Sequence, residues 1–123
     1  MKFYFDGGCK PNPGKMECAV VSENGKIKQH EFLPYGTNNE AEWIGLLLAL
    51  ELAKPYANGP VEIVGDSDLV IKQASGIWKV KHPSMAAYKQ EFDILSKGFV
   101  NLKLTHVLRH KNPAGHYIEE IHA

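Results

Sequence analysis

The chain has only two cysteines in its 123 residues, Cys9 and Cys18, and their spacing matches no metal-binding pattern. Free thiols are therefore expected, as is usual in a reducing compartment. The chain also lacks an apolar run long enough to cross a bilayer, and it opens without the pattern of a signal peptide. These absences predict a cytoplasmic location and no membrane partner.

The sequence has no excess of charge of either sign. Lysine plus arginine and aspartate plus glutamate each number 14, so the formal net charge is 0. This total argues against long-range electrostatic capture of nucleic acid, but it leaves room for a local basic track. With 44% hydrophobic and 23% charged residues, the composition is that of an ordinary globular protein, and the length suits a single domain, residues 1–123.

The order of patterns along the chain predicts an α/β fold. Phe3 and Phe5 alternate with their neighbours as in a half-buried strand, and an Asn24-Gly25 turn separates two further strands at 17–22 and 27–32. The remaining predicted elements are a break at 34–36, a helix from 37–39 to about Lys54, a strand at 61–64, helices at 68–75 and 84–97, a strand at 102–108 and a short helix capped by Asn112. This order predicts a hairpin and crossover units on one mixed sheet covered by helices.

Asp6 stands in strand context beside aromatic residues, where a carboxylate is costly unless a cation neutralises it. Gly7 and Gly8 follow it, so a ligand can approach the backbone closely at that point. Asp66 ends an apolar strand, the place where α/β sheets put their ligands, although a turn or cap residue is the ordinary role of such an aspartate.

Glu42 lies one turn into the long predicted helix, at the head of an apolar stripe that includes small residues. The stripe could lie close to the sheet and point Glu42 at Asp6 and Asp66, whereas the alternative is a first-turn glutamate favoured by the helix dipole. Three acids that converge from separate elements would hold hard cations such as Mg²⁺, and pairs of such ions serve phosphodiester chemistry.

Four motifs, in order over nearly the whole chain, resemble type 1 ribonuclease H. They are Asp6-Gly7-Gly8-x-x-x-Asn12-Pro13-Gly14, Thr37-Asn38-Asn39-x-Ala41-Glu42, Gly65-Asp66-Ser67-x-Leu69-Val70-Ile71 with Gln73, Gly76 and Trp78, and Arg109-x-x-Asn112. The resemblance implies a ribonuclease H-like fold, with a five-stranded mixed sheet flanked by helices. It also implies cleavage of the RNA strand of RNA–DNA hybrids with two Mg²⁺ or Mn²⁺ ions, leaving 3′-hydroxyl and 5′-phosphate ends. The hybrid is the implied partner, with no obligate protein partner.

The resemblance implies that Asp6, Glu42 and Asp66 are the metal-binding and catalytic carboxylates. The family has a fourth aspartate four residues after the asparagine of its last motif, and His116 stands there instead. His116 has three interpretations: a metal ligand that suits Mn²⁺ or Zn²⁺ better than Mg²⁺, a nearby group for proton donation or product release, or a surface histidine.

The resemblance also implies a set of residues that contact the hybrid: Gly7, Gly8, Cys9, Asn12, Thr37, Asn38, Asn39, Ser67 and Trp78. Trp78 with neighbouring lysines would follow the DNA strand, unless it is a core residue, and Cys9 is as readily a small buried residue. His110 could help product release, whereas His30, His82 and His122 are expected on the surface. The chain resembles a minimal form without the family's basic insertion and without a hybrid-binding domain.

Two other functions compete with hydrolysis of hybrids. A binding module of the same fold would hold hybrid or RNA without cutting, with His116 as the mark of a lost site. A DNA-cutting nuclease of this fold is the second, and the Thr37-Asn38-Asn39 block favours the hybrid over it. The zero net charge predicts weak, salt-sensitive binding of the substrate.

Overall fold

The computed structural model describes all 123 residues, and its centre is one five-stranded sheet in the order β3-β2-β1-β4-β5. The strands are β1 (Lys2–Cys9), β2 (Gly14–Ser22), β3 (Lys28–Gly36), β4 (Pro60–Gly65) and β5 (Asn101–His106); the helices are α1 (Asn38–Ala53), α2 (Asp68–Ala74), α3 (Pro83–Ser96) and α4 (Pro113–His122), with 3₁₀ turns at Lys54–Tyr56 and Arg109–Lys111. The first three strands are antiparallel, and β4 and β5 run parallel to β1 and to each other. The predicted α/β fold with a mixed sheet is confirmed.

The core forms where α1 lies against β1. Phe3 and Phe5 point from β1 into the same cluster as Trp43, and all three side chains are fully buried. Glycine makes this approach possible, because a Cβ on Gly7 would collide with the backbone of Ala41. The apolar stripe predicted for this helix therefore does face the sheet, and it brings the first turn of α1 to the end of β1.

α4 covers the other face of β1 and β2. Side chains alternate across a strand, so Asp6 points away from the face on which Gly7 meets α1. A Cβ on Gly115 of α4 would lie 3.2 Å from Asp6 Oδ2. The carboxylate of Asp6 therefore lies between the sheet and the first turn of α4.

The predicted break at 34–36 is wrong, because β3 continues to Gly36. Tyr35 is paired with Lys15 and Leu33 with Met16, so a register shift leaves Pro34 without a partner opposite it. A bulge on an edge strand tolerates proline because no ladder hydrogen bond is required of it there. The last strand is shorter at its end than predicted, since β5 ends at His106 and not at residue 108.

No helix of this protein is both long enough and apolar enough to span a membrane.

Candidate active site

Asp6, Glu42 and Asp66 come together at one end of the sheet. Asp6 belongs to β1, Glu42 to the first turns of α1, and Asp66 follows the last residue of β4. One carboxylate oxygen from each residue lies within 4.8 Å of the other two. The structure thus makes a single cluster of the three acids that the sequence singled out.

Glu42 is fixed by the backbone of the strand it faces. The Gly7 N–H donates to Glu42 Oε1 at 2.7 Å, and the residue is only 7% exposed. Burial, followed by the charges of Asp6 and Asp66, raises the pKa of Glu42 well above its ordinary value. Burial and the neighbouring Asp66 likewise raise the pKa of Asp6 to about 6. Three carboxylates in this position repel one another until a cation joins them.

Asp66 is held by Asn112, which is fully buried. The Asn112 amide nitrogen donates to Asp66 Oδ2 at 3.0 Å and to the Phe5 carbonyl at 2.8 Å. Its amide oxygen accepts the N–H of Ala114 at 3.1 Å, which is the N-cap role predicted from the sequence. The second role, in which the same side chain orients a cluster acid, has no signal in the local sequence pattern.

His116 is exposed on α4 and is not a member of the acid cluster. The neighbouring Gly115 is the α4 residue that faces Asp6, and successive helix residues point in different directions. The roles of His116 as metal ligand or proton donor stay predictions. Product release by His110 also stays a prediction; this residue is exposed in the 3₁₀ turn Arg109–Lys111.

A cleft of about 510 Å³ opens beside Asp6, between the end of β1 and α4. It is lined by Asp6 together with Gly7, Gly8, Cys9, Asn12 and Asn38 of the predicted substrate residues, and by Lys10, Glu17, Arg109, Gly115, Ile118, Glu119 and His122. The side chain of Asn12 donates to Asn38 Oδ1 at 2.9 Å and accepts the Asn38 N–H at 3.1 Å, which ties the loop after β1 to the start of α1. Arg109, Glu17 and Glu119 also line this cleft, and they are not among the substrate contacts that the resemblance implies.

Two of the predicted substrate residues are helix caps. The Thr37 hydroxyl accepts the Glu40 N–H at 3.2 Å, and the Ser67 hydroxyl accepts the Val70 N–H at 3.3 Å. Cys9 is buried, and its thiol contacts the carbonyl of Gly36 at 3.4 Å, so only its backbone is placed to meet a ligand in the cleft.

A second cleft, of about 670 Å³, contains Trp78 and Asn39 with the basic side chains Lys79 and Lys81. Trp78 is 43% exposed, which excludes the alternative of a core tryptophan. The ammonium of Lys72 lies 4.5 Å from the centroid of its indole. An exposed aromatic ring among lysines is suited to a nucleic acid strand.

The expectation that His30 is a surface residue is wrong. Its side chain is 8% exposed and lies 2.7 Å from Glu17. His122 is exposed as expected but contacts the same carboxylate, and His82 caps α3 by accepting the Ser84 N–H at 3.2 Å. No local pattern in the sequence marks the Glu17 contacts, because they join β2 to β3 and to α4.

A five-stranded sheet of this order with an acid cluster at the end of β1 and β4 defines a ribonuclease H-like domain. Residues 4–118 match the family described as reverse transcriptase-like. Ribonuclease HI of Halobacterium salinarum is 35% identical to the chain over 113 residues, which are 89% of this chain and 57% of that protein. The chain belongs to the type 1 ribonuclease H family, and it spans little more than half the length of that relative.

Solved structures agree with this assignment. The crystal structure of RNase H1 from Halobacterium salinarum has a TM-score of 0.82 and 32% identity, and the match covers 94% of this chain and 91% of that one. LC11-RNase H1, solved in complex with an RNA/DNA hybrid, has a TM-score of 0.86 and 29% identity, with 99% of both chains covered.

Proposed function

We propose that this protein hydrolyses the RNA strand of RNA–DNA hybrids, using divalent cations bound by Asp6, Glu42 and Asp66. The observation that carries the proposal is the convergence of these three carboxylates within 4.8 Å beside an open cleft. Similarity to ribonuclease HI and to LC11-RNase H1, which was solved with a hybrid, supports the choice of substrate.

The donor set suits Mg²⁺ or Mn²⁺, because all three ligands are carboxylate oxygens. The raised pKa values of Asp6 and Glu42 also support binding of a divalent cation, since a cation offsets the repulsion between carboxylates that helps to raise them. Two bound ions would supply Lewis-acid activation of water and stabilisation of the leaving oxygen, which in this family gives 3′-hydroxyl and 5′-phosphate ends.

The chain itself supplies orientation and contact. The Gly7 N–H keeps Glu42 turned towards the cluster, and Asn112 does the same for Asp66. Arg109 adds a positive charge beside Asp6 in the cleft, where it can contact a phosphate. The backbone of Gly8 and the amides of Asn12 and Asn38 are suited to 2′-hydroxyl contacts, by which RNA is distinguished from DNA.

The test is cleavage of a labelled RNA–DNA hybrid by the wild-type protein and by Asp66→Asn. We expect the substitution to slow cleavage by about a thousandfold or more, because it removes a charged ligand from the cluster. Asp68→Asn is the matched control, since this exposed neighbour pairs with Lys72 at 3.1 Å and lies outside the cluster. An Asp66→Asn protein that cuts as fast as the Asp68→Asn control would exclude the mechanism.

Metal and substrate controls separate the alternatives. Mg²⁺ and Mn²⁺ are tested in parallel, with double-stranded RNA and DNA beside the hybrid. Cleavage in Mn²⁺ alone would favour His116 as a ligand. Binding of the hybrid without cleavage in either metal would favour the binding module instead of the nuclease.

A further inference from the structure

Glu17 of β2 is held between two histidines that come from different elements. His30 Nε2, from β3, lies 2.7 Å from Glu17 Oε1. His122 Nε2, from the last turn of α4, lies 2.8 Å from the same oxygen and 2.7 Å from Oε2. Burial raises the pKa of Glu17, but the hydrogen bonds from both imidazoles lower it further and keep it below its ordinary value. The carboxylate is therefore ionised at neutral pH, with two nitrogen donors aimed at it.

This donor set differs in kind from that of the acid cluster. Two imidazoles and one carboxylate are the protein ligands of many zinc sites, which leave a fourth position for water. The acid cluster offers oxygen alone and suits harder ions. Thiols do not compete near Glu17, because burial raises the pKa of the adjacent Cys18 to about 12 and keeps its sulfur protonated.

We propose that Glu17, His30 and His122 form a second metal site, selective for Zn²⁺ over Mg²⁺, which is separate from the acid cluster. In the bound form each imidazole carries its proton on Nδ1 and gives Nε2 to the ion, in place of the hydrogen bond to Glu17. The site would join the last turn of α4 to β2 and β3.

Binding requires the two imidazole nitrogens that flank Glu17 to close on one ion, because only the acid cluster already has its ligand atoms within 4.8 Å of one another. The side chain of His30 is 8% exposed, whereas that of His122 is 53% exposed and has room to move towards a shared ion. The Phe32 ring makes a T-shaped contact with each imidazole, with centroid distances of 4.6 Å to His30 and 6.5 Å to His122. These contacts restrict the orientation of both imidazoles. Glu17 and His122 also line the cleft, which leaves a solvent-facing position for the fourth ligand.

The first test is calorimetric titration of Zn²⁺ into the protein in an excess of Mg²⁺, which occupies the acid cluster. We expect one equivalent of Zn²⁺ to bind, and both His122→Gln and His30→Gln to weaken that binding by about tenfold or more. His106→Gln is the matched control, because His106 is exposed on β5 and lies outside this cluster. Asp66→Asn should leave the zinc affinity unchanged, so this outcome does not depend on the proposed nuclease activity.

Zinc affinity that is unchanged in the His30→Gln/His122→Gln double variant, or that is lost in Asp66→Asn, would overturn the proposal. Absence of zinc binding by the wild-type protein would overturn it too, and would leave the cluster as a set of hydrogen bonds. Folding of each variant is checked by circular dichroism. As a second readout, Zn²⁺ should raise the melting temperature of the wild-type and His106→Gln proteins but not that of His122→Gln.

Discussion

At the scale of the residue, Asp6 shows what the site costs the fold. Its carboxylate is partly buried between the sheet and α4, close to two other acids. Its pKa is about 6 in the folded protein against an ordinary 3.8, with burial as the main cause and Asp66 next. Without a metal ion, folding therefore becomes less favourable as Asp6 ionises.

Asp6→Asn is accordingly expected to stabilise the metal-free protein at neutral pH. Because the folded-state pKa is raised, the stabilisation is absent below pH 3.8, grows between pH 3.8 and about 6, and is constant above that range. Its plateau should be about 1–3 kcal/mol. Urea unfolding in a chelator, repeated across this pH range, measures it. A variant less stable than wild type at pH 7.5 would contradict the prediction, and saturating Mg²⁺ should reduce the difference by stabilising wild type alone.

Asn112 should matter to activity beyond its role as a cap. Asn112→Ala removes the donors to Asp66 and Phe5 and leaves buried acceptors without partners, so we expect a loss of about 1–3 kcal/mol in unfolding free energy and slower cleavage. Asn112→Ser keeps a hydroxyl acceptor for the Ala114 N–H and adds no charge to the cluster, but it has no amide to donate to Asp66. If capping were the whole role, Asn112→Ser would retain wild-type kcat; we expect it to lose at least about tenfold.

At the scale of the element, the contact between α1 and β1 decides whether Glu42 reaches the cluster. Gly7→Ala would place a methyl group against the backbone of Ala41 and separate the helix from the strand. We expect it to lower the unfolding free energy by about 3 kcal/mol. Gly8→Ala is the control, because its methyl group would meet only the flexible side chain of Glu17, at 3.4 Å. Equal urea midpoints for the two variants would show that the approach of α1 is not close enough to require glycine.

The elements also show what could be predicted from sequence. The helix starts at Thr37, Ser67 and Asn112 were predictable, because an N-cap side chain accepts a hydrogen bond from a backbone N–H two or three residues later. The continuation of β3 through Pro34 could not be predicted, because it depends on a register shift in the pairing of β3 with β2. Locally, a proline with a glycine two residues later predicts the end of a strand.

The same distinction divides the site. Asp6 and Glu42 could be singled out because each departs from its local pattern, a carboxylate among aromatics and a glutamate at the head of an apolar stripe. The bond from Asn112 to Asp66 and the burial of His30 against Glu17 are contacts between distant parts of the chain. Periodicity and spacing carry no information about such pairs. The position of His116 outside the cluster likewise follows from which side of α4 faces Asp6.

At the scale of the whole molecule, charge is balanced in total but uneven in place. The formal net charge is 0, yet Lys79 and Lys81 stand with Trp78 along one cleft, and Arg109 lies in the other. Binding of a hybrid should therefore depend on a few local phosphate contacts rather than on the field of the whole protein.

Hybrid affinity is expected to fall between low and physiological salt, with a slope set by those few contacts. Fluorescence anisotropy with the Asp66→Asn protein measures binding without cleavage. Lys79→Gln/Lys81→Gln should reduce the slope of log affinity against log salt by about 1–2, since each lost phosphate contact removes about one unit. Lys26→Gln, in the exposed turn after β2, is the control and should keep the slope. Affinity that does not change with salt would contradict the prediction.

The bond between Asn112 and the Phe5 carbonyl joins residues 107 positions apart, and it has a consequence for synthesis of the protein. A ribosome delivers the three acids of the cluster long before it delivers α4. Until that helix has left the exit tunnel, Asp66 lacks its hydrogen bond from Asn112 and Asp6 lacks its cover by Gly115. A nascent chain thus lacks the contacts that α4 and Asn112 make with Asp6 and Asp66, and the activity proposed here would begin only after α4 has emerged and packed on the sheet.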